Sequence, residues 1–251
     1  MEVRITSRKN PFLQQVKKLL SSKKAREEAG LFVADGTKLL QEAVRYCPGL
    51  DTVILSDGVE AQVPQNVRLI RVPEDVMASI SPMAAPQGAL FLCQLPEKRP
   101  FVPSRGMLLL DGIQDPGNLG TMIRSADAFG FEAVVLSRDC CDLFSPKVLR
   151  SAMGSVFHLP YYIAPDMPAF EREMAACGKV SAAAVLENAD LLAGCCILPE
   201  IHLLDIGNEG NGLPESFAQA CRYRITLPMK GKAESLNAAM AAGILMWELT
   251  K

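Results

Sequence analysis

The sequence predicts an α/β protein of two domains, in which a small α/β domain precedes a larger domain built on a mostly parallel sheet. Short apolar runs alternate with helical patterns along the chain, and 49% of its 251 residues are hydrophobic. A proline-rich stretch without periodicity interrupts this alternation at residues 96–106. Because a chain of this length and composition can bury a sizeable core, we expect globular domains at 1–95 and 107–251, joined by a linker at 96–106.

The first domain begins with a helical pattern. Asn10 and Pro11 fit an N-cap followed by a first-turn proline, and apolar residues then recur at helical spacing up to Leu20. Apolar, β-prone runs and further helical patterns follow in alternation, which is typical of a small α/β domain. The apolar runs span 52–55, 67–72 and 89–93, and the helical patterns span 37–46 and 73–80.

The second domain continues the alternation with five strand-like runs separated by helical or loop segments. These runs span 107–110, 133–136, 180–185, 202–206 and 224–227. Apolar strands that alternate with helices form parallel sheets covered on both faces, so the pattern predicts a mostly parallel sheet. The Ala-rich segment 235–251 is predicted to form a long final helix.

The net charge of −2 does not indicate a nucleic-acid-binding protein, but the distribution of charge does. Eight basic residues and no acidic residue occur from Arg4 to Arg26. Such a run suits contacts with RNA phosphates, although a solvated helix face has the same composition. The candidate RNA-binding residues are Arg8, Lys9, Lys17, Lys18, Lys23 and Lys24.

Several classes of protein are disfavoured by patterns that the sequence lacks. The apolar stretch 236–247 is too short to span a bilayer and the charged N-terminus lacks the apolar core of a secretory signal, so we expect a cytoplasmic protein. The eight cysteines form no C-x-x-C motif and no zinc-ligand spacing with histidine, so we expect reduced thiols and no bound metal. No G-x-G-x-x-G or P-loop motif is present to bind a nicotinamide cofactor or a nucleoside triphosphate.

Three loops at the carboxyl ends of predicted strands are rich in Gly, Asn and charged residues. The first loop, 111–130, runs into a helix and carries Asn118 and Arg124. The second loop, 205–213, contains closely spaced glycines, and the third, 227–240, leads into the final helix. Parallel α/β sheets bind ligands at this edge, so these loops are the candidate functional site.

Together and in this order, the three loops resemble the motifs of the SpoU (TrmH-like) branch of the SPOUT superfamily of RNA ribose 2′-O-methyltransferases. The first motif is N-x-G-x-x-x-R, the second is G-x-E-x-x-G, and the third is P-M-x-G-x-x-E-S-L-N. The matching residues are Asn118, Gly120, Arg124, Gly207, Glu209, Gly212, Pro228, Met229, Gly231, Glu234, Ser235, Leu236 and Asn237. Residues 145–160 and the N-terminal part, which is similar to the family's RNA substrate-binding domain, extend the resemblance over nearly the whole chain. Thr121 and Ala239 depart from residues frequent in the family.

The resemblance implies a trefoil knot in the C-terminal domain, a homodimer with an active site completed across it, and S-adenosyl-L-methionine as cofactor. The implied cofactor-binding residues are Gly207, Asn208, Leu227, Ser235 and Leu236, and the implied catalytic residues are Asn118, Arg124, Glu209 and Asn237. An arginine keeps its proton in proteins, so Arg124 is expected to hold the RNA phosphate beside the reacting ribose and to stabilise the developing alkoxide.

The implied reaction is transfer of a methyl group to a ribose 2′-hydroxyl of RNA. The type of N-terminal domain favours ribosomal RNA over transfer RNA. One alternative is a non-catalytic RNA-binding or ribosome assembly protein that keeps the knotted fold, which the intact Asn118, Arg124, Glu209 and Asn237 argue against. Another is a methyltransferase that acts on a base or on a small molecule, and the basic N-terminal run disfavours the small molecule.

Overall fold

The architecture is described from a computed structural model that covers residues 2–96, 106–194 and 198–251. The chain forms two compact units. The first contains residues 2–96 together with 142–158, and the second contains 106–141 and 159–251. Of the predicted linker, 96–106, residues 97–105 lie outside the described residues.

The first unit is a five-stranded mixed sheet with helices. Its strands pair in the order β1-β4-β3-β5-β2, in which β1, β4 and β3 run parallel and β5 is antiparallel to both β3 and β2. The elements are β1 Glu2–Arg4, α1 Pro11–Ser21, α2 Lys23–Ala29, β2 Leu31–Asp35, α3 Thr37–Tyr46, β3 Leu50–Ser56, β4 Arg68–Val72, α4 Glu74–Ile80 and β5 Ala89–Gln94. The small α/β domain that the sequence predicts is therefore present.

The basic N-terminal run occupies two helices. The Asn10 side chain accepts a hydrogen bond from the Phe12 backbone N–H at 2.9 Å and so caps α1. Ser22 ends α1 in an extended conformation, and its hydroxyl accepts a hydrogen bond from the Ala25 N–H at the start of α2. Leu13, Val16 and other buried residues of this face pack into the core of the unit, so the basic residues between them point mainly outward.

The second unit is built on a seven-stranded sheet in which every pairing is parallel. Its order is β10-β12-β9-β11-β6-β7-β8. The elements are β6 Met107–Leu110, α5 Pro116–Ala128, β7 Ala133–Ser137, β8 Tyr161–Ala164, α7 Met167–Ala176, β9 Ser181–Ala184, β10 Leu191–Leu192, β11 Leu203–Ile206, α8 Glu215–Ala218, β12 Tyr223–Thr226 and α9 Ala238–Thr250. The label α6 belongs to Pro146–Ala152 of the first unit. The predicted parallel sheet is confirmed.

Segment 142–158 departs from the predicted division, because it follows β7 in the sequence and yet belongs to the first unit. Asp142 forms an ion pair with the buried Arg26, and the Phe144 ring lies 4.5 Å from that of Phe32. Helix α6 packs against β2. The apolar and ionic partners of this segment are supplied by residues more than a hundred positions away, which a local pattern does not reveal.

The final helix begins later than the sequence predicts. Residues 235–237 are not helical, because Asn237 caps α9 through its side chain and leaves the preceding residues in a loop. Strand β12 lies on the far side of β9 from β11, whereas α9 packs against α5 and β11. The chain after β12 therefore returns across the sheet before α9 begins.

Candidate active site

Glu209 lies in the loop after β11 and binds the loop that precedes α5. Its carboxylate accepts hydrogen bonds from the backbone N–H groups of Gln114 and Asp115, each at 3.0 Å, and from the Asn118 side-chain amide at 3.1 Å. Asp115 is the N-cap of α5. The Glu209 carboxylate thus sits at the start of a helix, where unpaired N–H groups favour a negative charge.

These contacts set the ionisation of Glu209. Partial burial raises the pKa of the Glu209 carboxyl, but the hydrogen bonds from Gln114, Asp115 and Asn118 outweigh it and hold the pKa below its ordinary value of 4.5. The side chain is therefore a carboxylate at neutral pH and acts as a hydrogen-bond acceptor. It is a poor proton acceptor for a reaction, since its pKa lies far below that of a general base suited to neutral pH.

Asn118 connects the first loop to the third. Its side-chain oxygen accepts a hydrogen bond from the Asn237 amide at 2.9 Å, while its own amide donates to Glu209. The Asn237 oxygen in turn accepts hydrogen bonds from the Ala239 and Met240 N–H groups, at 3.0 and 3.1 Å, at the start of α9. Glu209, Asn118 and Asn237 form a continuous chain with one residue from each predicted motif. We refer to these three residues as the motif triad.

Asn208 shapes the second loop. Its side-chain oxygen accepts hydrogen bonds from the Gly210 and Asn211 N–H groups at 2.9 and 3.1 Å, and its amide donates to the Gly112 carbonyl at 2.8 Å. The backbones of Asn208 and Gly212 also pair with each other in both directions. This side chain is occupied in holding two loops together, so its contact with any ligand would come mainly from its backbone.

Gly207 is required by the close return of the same loop. A Cβ atom at this position would lie 2.2 Å from the Gly212 carbonyl carbon and from the Leu213 nitrogen. Backbone atoms cannot move away as a flexible side chain can, so only glycine fits here.

The loops surround a cavity of about 500 Å³, which is within the range of small-molecule sites. Its walls are formed by residues that follow β9, β11 and β12 and by the first turns of α9. The lining includes all five predicted cofactor residues, Gly207, Asn208, Leu227, Ser235 and Leu236. Glu209 of the motif triad also lines it.

The charged lining of the cavity is predominantly acidic. It carries four glutamates, Glu187, Glu209, Glu215 and Glu234, and one arginine, Arg224. The guanidinium of Arg224 is paired with the Asp190 carboxylate at 3.2 Å, which offsets its charge. A ligand that bears positive charge is therefore favoured in this cavity over an anion.

The segment 184–188, which forms one wall, is absent from the residues that the sequence predicts for the site. It follows β9, and Asn188 in it adopts a φ of 55°, a left-handed conformation that asparagine tolerates better than most residues. The only signal in the sequence is a short polar run, Glu-Asn-Ala-Asp, after an apolar strand. Such runs are common in ordinary turns, so the wall is recognised only when the strands are placed.

Arg124 stands apart from the other predicted catalytic residues. It lies on α5, is exposed, and is not among the residues that line the cavity. Within the described part of the chain, its guanidinium has no hydrogen bond or ion pair of its own. Arg124 lies six positions after Asn118 on the helix, a rise of about 9 Å. The structure brings the motif triad together beside the cavity and leaves Arg124 exposed on the adjoining helix.

The eight basic residues from Arg4 to Arg26 divide into paired and unpaired groups. Arg4 pairs with Asp57, Arg8 with Asp75, Lys24 with Glu28, and Arg26 is buried against Asp142. In the ranges that the structure covers, no ion pair engages the remaining lysines, which are Lys9, Lys17, Lys18 and Lys23. Of the six predicted RNA-binding residues, four therefore carry uncompensated charge.

The sequence matches the models of two known protein domains. Residues 106–247 match the model of the SpoU rRNA Methylase family. The chain belongs to this family. Residues 10–90 match the MRM3-like substrate binding domain. The resemblance that the three loops indicate is thereby confirmed, and the two matched regions lie on either side of residues 91–105.

Characterised relatives resemble the chain over nearly its full length. It is 36% identical over 251 residues to the 23S rRNA (guanosine(2553)-2'-O)-methyltransferase RlmP of Bacillus subtilis, covering 98% of each chain. It is 31% identical to the 23S rRNA (uridine(2479)-2'-O)-methyltransferase of Streptomyces viridochromogenes, covering 99% of this chain and 92% of the relative. The crystal structure of an AdoMet-bound rRNA methyltransferase from Sinorhizobium meliloti superimposes with a TM-score of 0.85 at 29% identity, covering 99% and 97% of the two chains.

Among the described residues, no helix is long and apolar enough to cross a membrane. The six described cysteines are free thiols, and three of them are buried: Cys93, Cys140 and Cys221.

Proposed function

We propose that the protein transfers a methyl group from S-adenosyl-L-methionine to a ribose 2′-hydroxyl of ribosomal RNA. The observation that carries the proposal is the motif triad, which joins the three family motifs beside one cavity. Family membership and relatives named as 23S rRNA 2'-O-methyltransferases support the same reaction.

The cavity suits this cofactor in shape and charge. Gly207 allows the tight return of the second loop, and residues of the second and third loops line the walls. The acidic lining favours a ligand with a sulfonium and an ammonium group. The cofactor would be held at Gly207, Asn208, Leu227, Ser235 and Leu236. When bound, S-adenosyl-L-methionine supplies a methyl group on a positively charged sulfur, which a ribose oxygen can attack in line.

The residues of the chain then perform two tasks. The motif triad is a positioning device, because Glu209, Asn118 and Asn237 hold the loops through hydrogen bonds that leave no group free for proton transfer at neutral pH. Arg124 has the only unpaired charge among the four implied catalytic residues. Its guanidinium is suited to bind the RNA phosphate next to the target ribose and to stabilise negative charge on the attacking oxygen, while the phosphate relays the hydroxyl proton.

The site is completed by a second copy of the chain. Met240, Ile244 and Trp247 recur at helical spacing on α9 and remain 59%, 37% and 55% exposed. Helix α9 packs on α5, where the Phe129 and Trp247 rings lie 5.9 Å apart. A dimer formed through this apolar face would bury the stripe and carry each Arg124 into the contact region, towards the partner's cavity. The exposed position of Arg124 outside its own cavity supports this arrangement.

The C-terminal segment is also proposed to form a trefoil knot. The return of the chain from β12 across β9 and β11 to α9 supports a segment threaded through an earlier loop. Residues of the tight second loop and of the segment that follows β12 line the same cavity.

RNA recognition is assigned to the first unit, where Lys9, Lys17, Lys18 and Lys23 offer unpaired positive charge. Such contacts position RNA phosphates without reading the sequence. A ribosomal substrate further supports a cytoplasmic location for the protein. The two relatives modify guanosine and uridine respectively, so the target nucleotide depends on the surfaces that surround the shared site.

The test is methyl transfer from labelled S-adenosyl-L-methionine to total RNA from a strain that lacks the protein, followed by size fractionation and nucleoside analysis. We expect one 2′-O-methylated nucleoside in ribosomal RNA. Arg124→Ala should reduce turnover by at least about 100-fold, as loss of a transition-state donor does, and should leave cofactor affinity within about twofold. Arg172→Ala, which removes an exposed arginine from α7, is the matched control.

Two results would contradict the proposal. Full single-turnover methylation by Arg124→Ala would remove that residue from the reaction. Cofactor binding without transfer to free RNA or to ribosomal particles would indicate an RNA-binding or ribosome assembly protein instead.

A further inference from the structure

Three acidic side chains meet inside the second unit, apart from the cofactor cavity. Glu171 comes from α7, Asp205 from β11, and Cys221 follows α8. Their exposed fractions are 2%, 0% and 9%. One ligand atom from each, two carboxylate oxygens and the Cys221 sulfur, all lie within 4.8 Å of one another. The cluster therefore gathers three metal-binding groups from separate elements at one buried point.

Two oxygen atoms in this cluster lack hydrogen-bond partners. Over the residues that the structure covers, neither Glu171 Oε1 nor Asp205 Oδ1 is paired, although both are buried. A proton shared between the two carboxyls occupies one oxygen of each and leaves these two unsatisfied. Each unsatisfied buried polar atom costs about 1–3 kcal/mol, and a ligand bound at this cluster would offset that cost.

Within the described residues, the groups that act on the Asp205 carboxyl supply no compensating positive charge. Burial raises the pKa of the Asp205 carboxyl well above its usual range, and the neighbouring Glu171 raises it further. The other groups that act on Asp205 are Cys221 and Asp111, which are also acids. Two carboxylates without a counter-charge are stable at such a site only if they bind protons or a cation.

The chemistry of the donors indicates which cation. A thiolate and two carboxylate oxygens are ligands that Zn²⁺ accepts, whereas Mg²⁺ and Ca²⁺ avoid sulfur. The Cys221 sulfur lies 3.6 Å from Asp205 Oδ2, a separation that one tetrahedral ion can bridge. The Ser181 hydroxyl of β9 is also buried near the cluster and accepts a hydrogen bond from the Arg222 N–H.

We propose that Glu171, Asp205 and Cys221 form a structural Zn²⁺ site that ties α7 and the turn after α8 to β11. Asp205 precedes Gly207 by two residues, so the ion anchors the strand from which the cofactor loop departs. The site needs neither RNA nor turnover and stands independently of the proposed methyl transfer. Its ligands are widely separated in the sequence, which explains why cysteine and histidine spacing predicts no metal.

Metal content of the full chain is the first measurement. The protein is purified without an affinity tag from zinc-supplemented cells, and its metals are quantified by mass spectrometry after gel filtration. About one zinc per chain is expected, because the three side chains can bind one ion and leave its fourth position to water. Cys221→Ser and Asp205→Asn should lower the zinc content at least tenfold. Cys177→Ser, which alters an exposed free cysteine at the end of α7, should retain it.

A second measurement does not depend on the folding of the variants. Metal-free wild-type protein is titrated with Co²⁺, and a thiolate-to-cobalt charge-transfer absorption is expected to saturate at one equivalent and to disappear on addition of Zn²⁺. Chelation of the zinc protein should also lower its melting temperature. Wild-type protein with negligible zinc and no cobalt band would show that the cluster holds protons only. Equal zinc in Cys221→Ser and wild type would equally overturn the proposal.

Discussion

At the scale of single residues, Glu209 illustrates how an acidic side chain can act by holding neighbouring loops in place. Glu209→Gln replaces one acceptor oxygen by an NH₂ group that faces the N–H groups of Gln114 and Asp115. Loss of a hydrogen bond to a charged group costs about 1.5–3 kcal/mol, so cofactor affinity should fall at least about tenfold, as measured by calorimetry. Glu173→Gln, an exposed substitution on α7, is the matched control. Unchanged affinity in Glu209→Gln would mean that the loops hold their positions without this carboxylate.

The effect of Glu209→Gln on stability should depend on pH. The pKa of Glu209 is lower in the folded protein than its ordinary 4.5, so its contribution to stability is complete above that value and is lost as pH falls through the folded pKa. Thermal melts should therefore show wild type losing its advantage over Glu209→Gln as the pH falls below the ordinary value of 4.5. A difference that grows in acid would contradict the assignment.

Individual residues also show where sequence reasoning succeeds and where it ends. Asn118, Glu209 and Asn237 are identifiable because each stands in a motif with a fixed local spacing. That the three form one hydrogen-bonded chain depends on positions 91 and 119 residues apart in the sequence. The residues of the Glu171–Asp205–Cys221 cluster are far apart in the sequence and form no local motif. The cluster is recognised only from the folded structure.

At the scale of elements, the second loop is shaped by the close approach of Gly207 to the backbone of Gly212 and Leu213. A substitution that adds one carbon atom at Gly207 tests the importance of this contact. Gly207→Ala places a Cβ 2.2 Å from the backbone of Gly212 and Leu213, whereas the Cβ of Gly210→Ala would meet only the Asn208 oxygen at 3.5 Å. We expect Gly207→Ala to lose cofactor affinity at least about tenfold and Gly210→Ala to stay within about threefold, by calorimetry. Similar affinities in the two variants would show that the loop relaxes freely.

The sequence predicts the existence of the strands better than their order in the sheet. The apolar runs that form β6, β7, β9, β11 and β12 are short and bounded by polar turns, so their existence follows from composition. Their order, β10-β12-β9-β11-β6-β7-β8, does not, because the chain moves back and forth across the sheet between consecutive strands. The placement of segment 142–158 could not be predicted from the sequence. Its partners Arg26 and Phe32 belong to a different predicted domain.

At the scale of the whole molecule, the proposed dimer combines residues of two chains at each site, because Arg124 lies outside the cavity of its own chain. Most homo-oligomers are symmetric dimers in which each surface meets its equivalent, so a contact through α5 and α9 would place two such arginines near the shared axis. The exposed stripe of Met240, Ile244 and Trp247 supplies the apolar area for that contact. If the arginine serves the partner's cofactor, each active site depends on residues from both chains.

Dimers that contain two different variants test whether Arg124 acts in its own chain or in the partner's site. An Arg124→Ala chain keeps its cofactor cavity, and a Gly207→Ala chain keeps its arginine, so each homodimer should be nearly inactive when the cofactor is held well below the dissociation constant of Gly207→Ala. A heterodimer of the two contains one complete site if the arginine acts across the interface, and should show about half of the wild-type rate. If the arginine acts within its own chain, no complete site exists and the mixture remains inactive. Adding Ile244→Glu to both chains should prevent pairing and abolish any rescue, because it places a charge in the apolar contact. Rescue that survives Ile244→Glu would show that α9 is not the dimer surface.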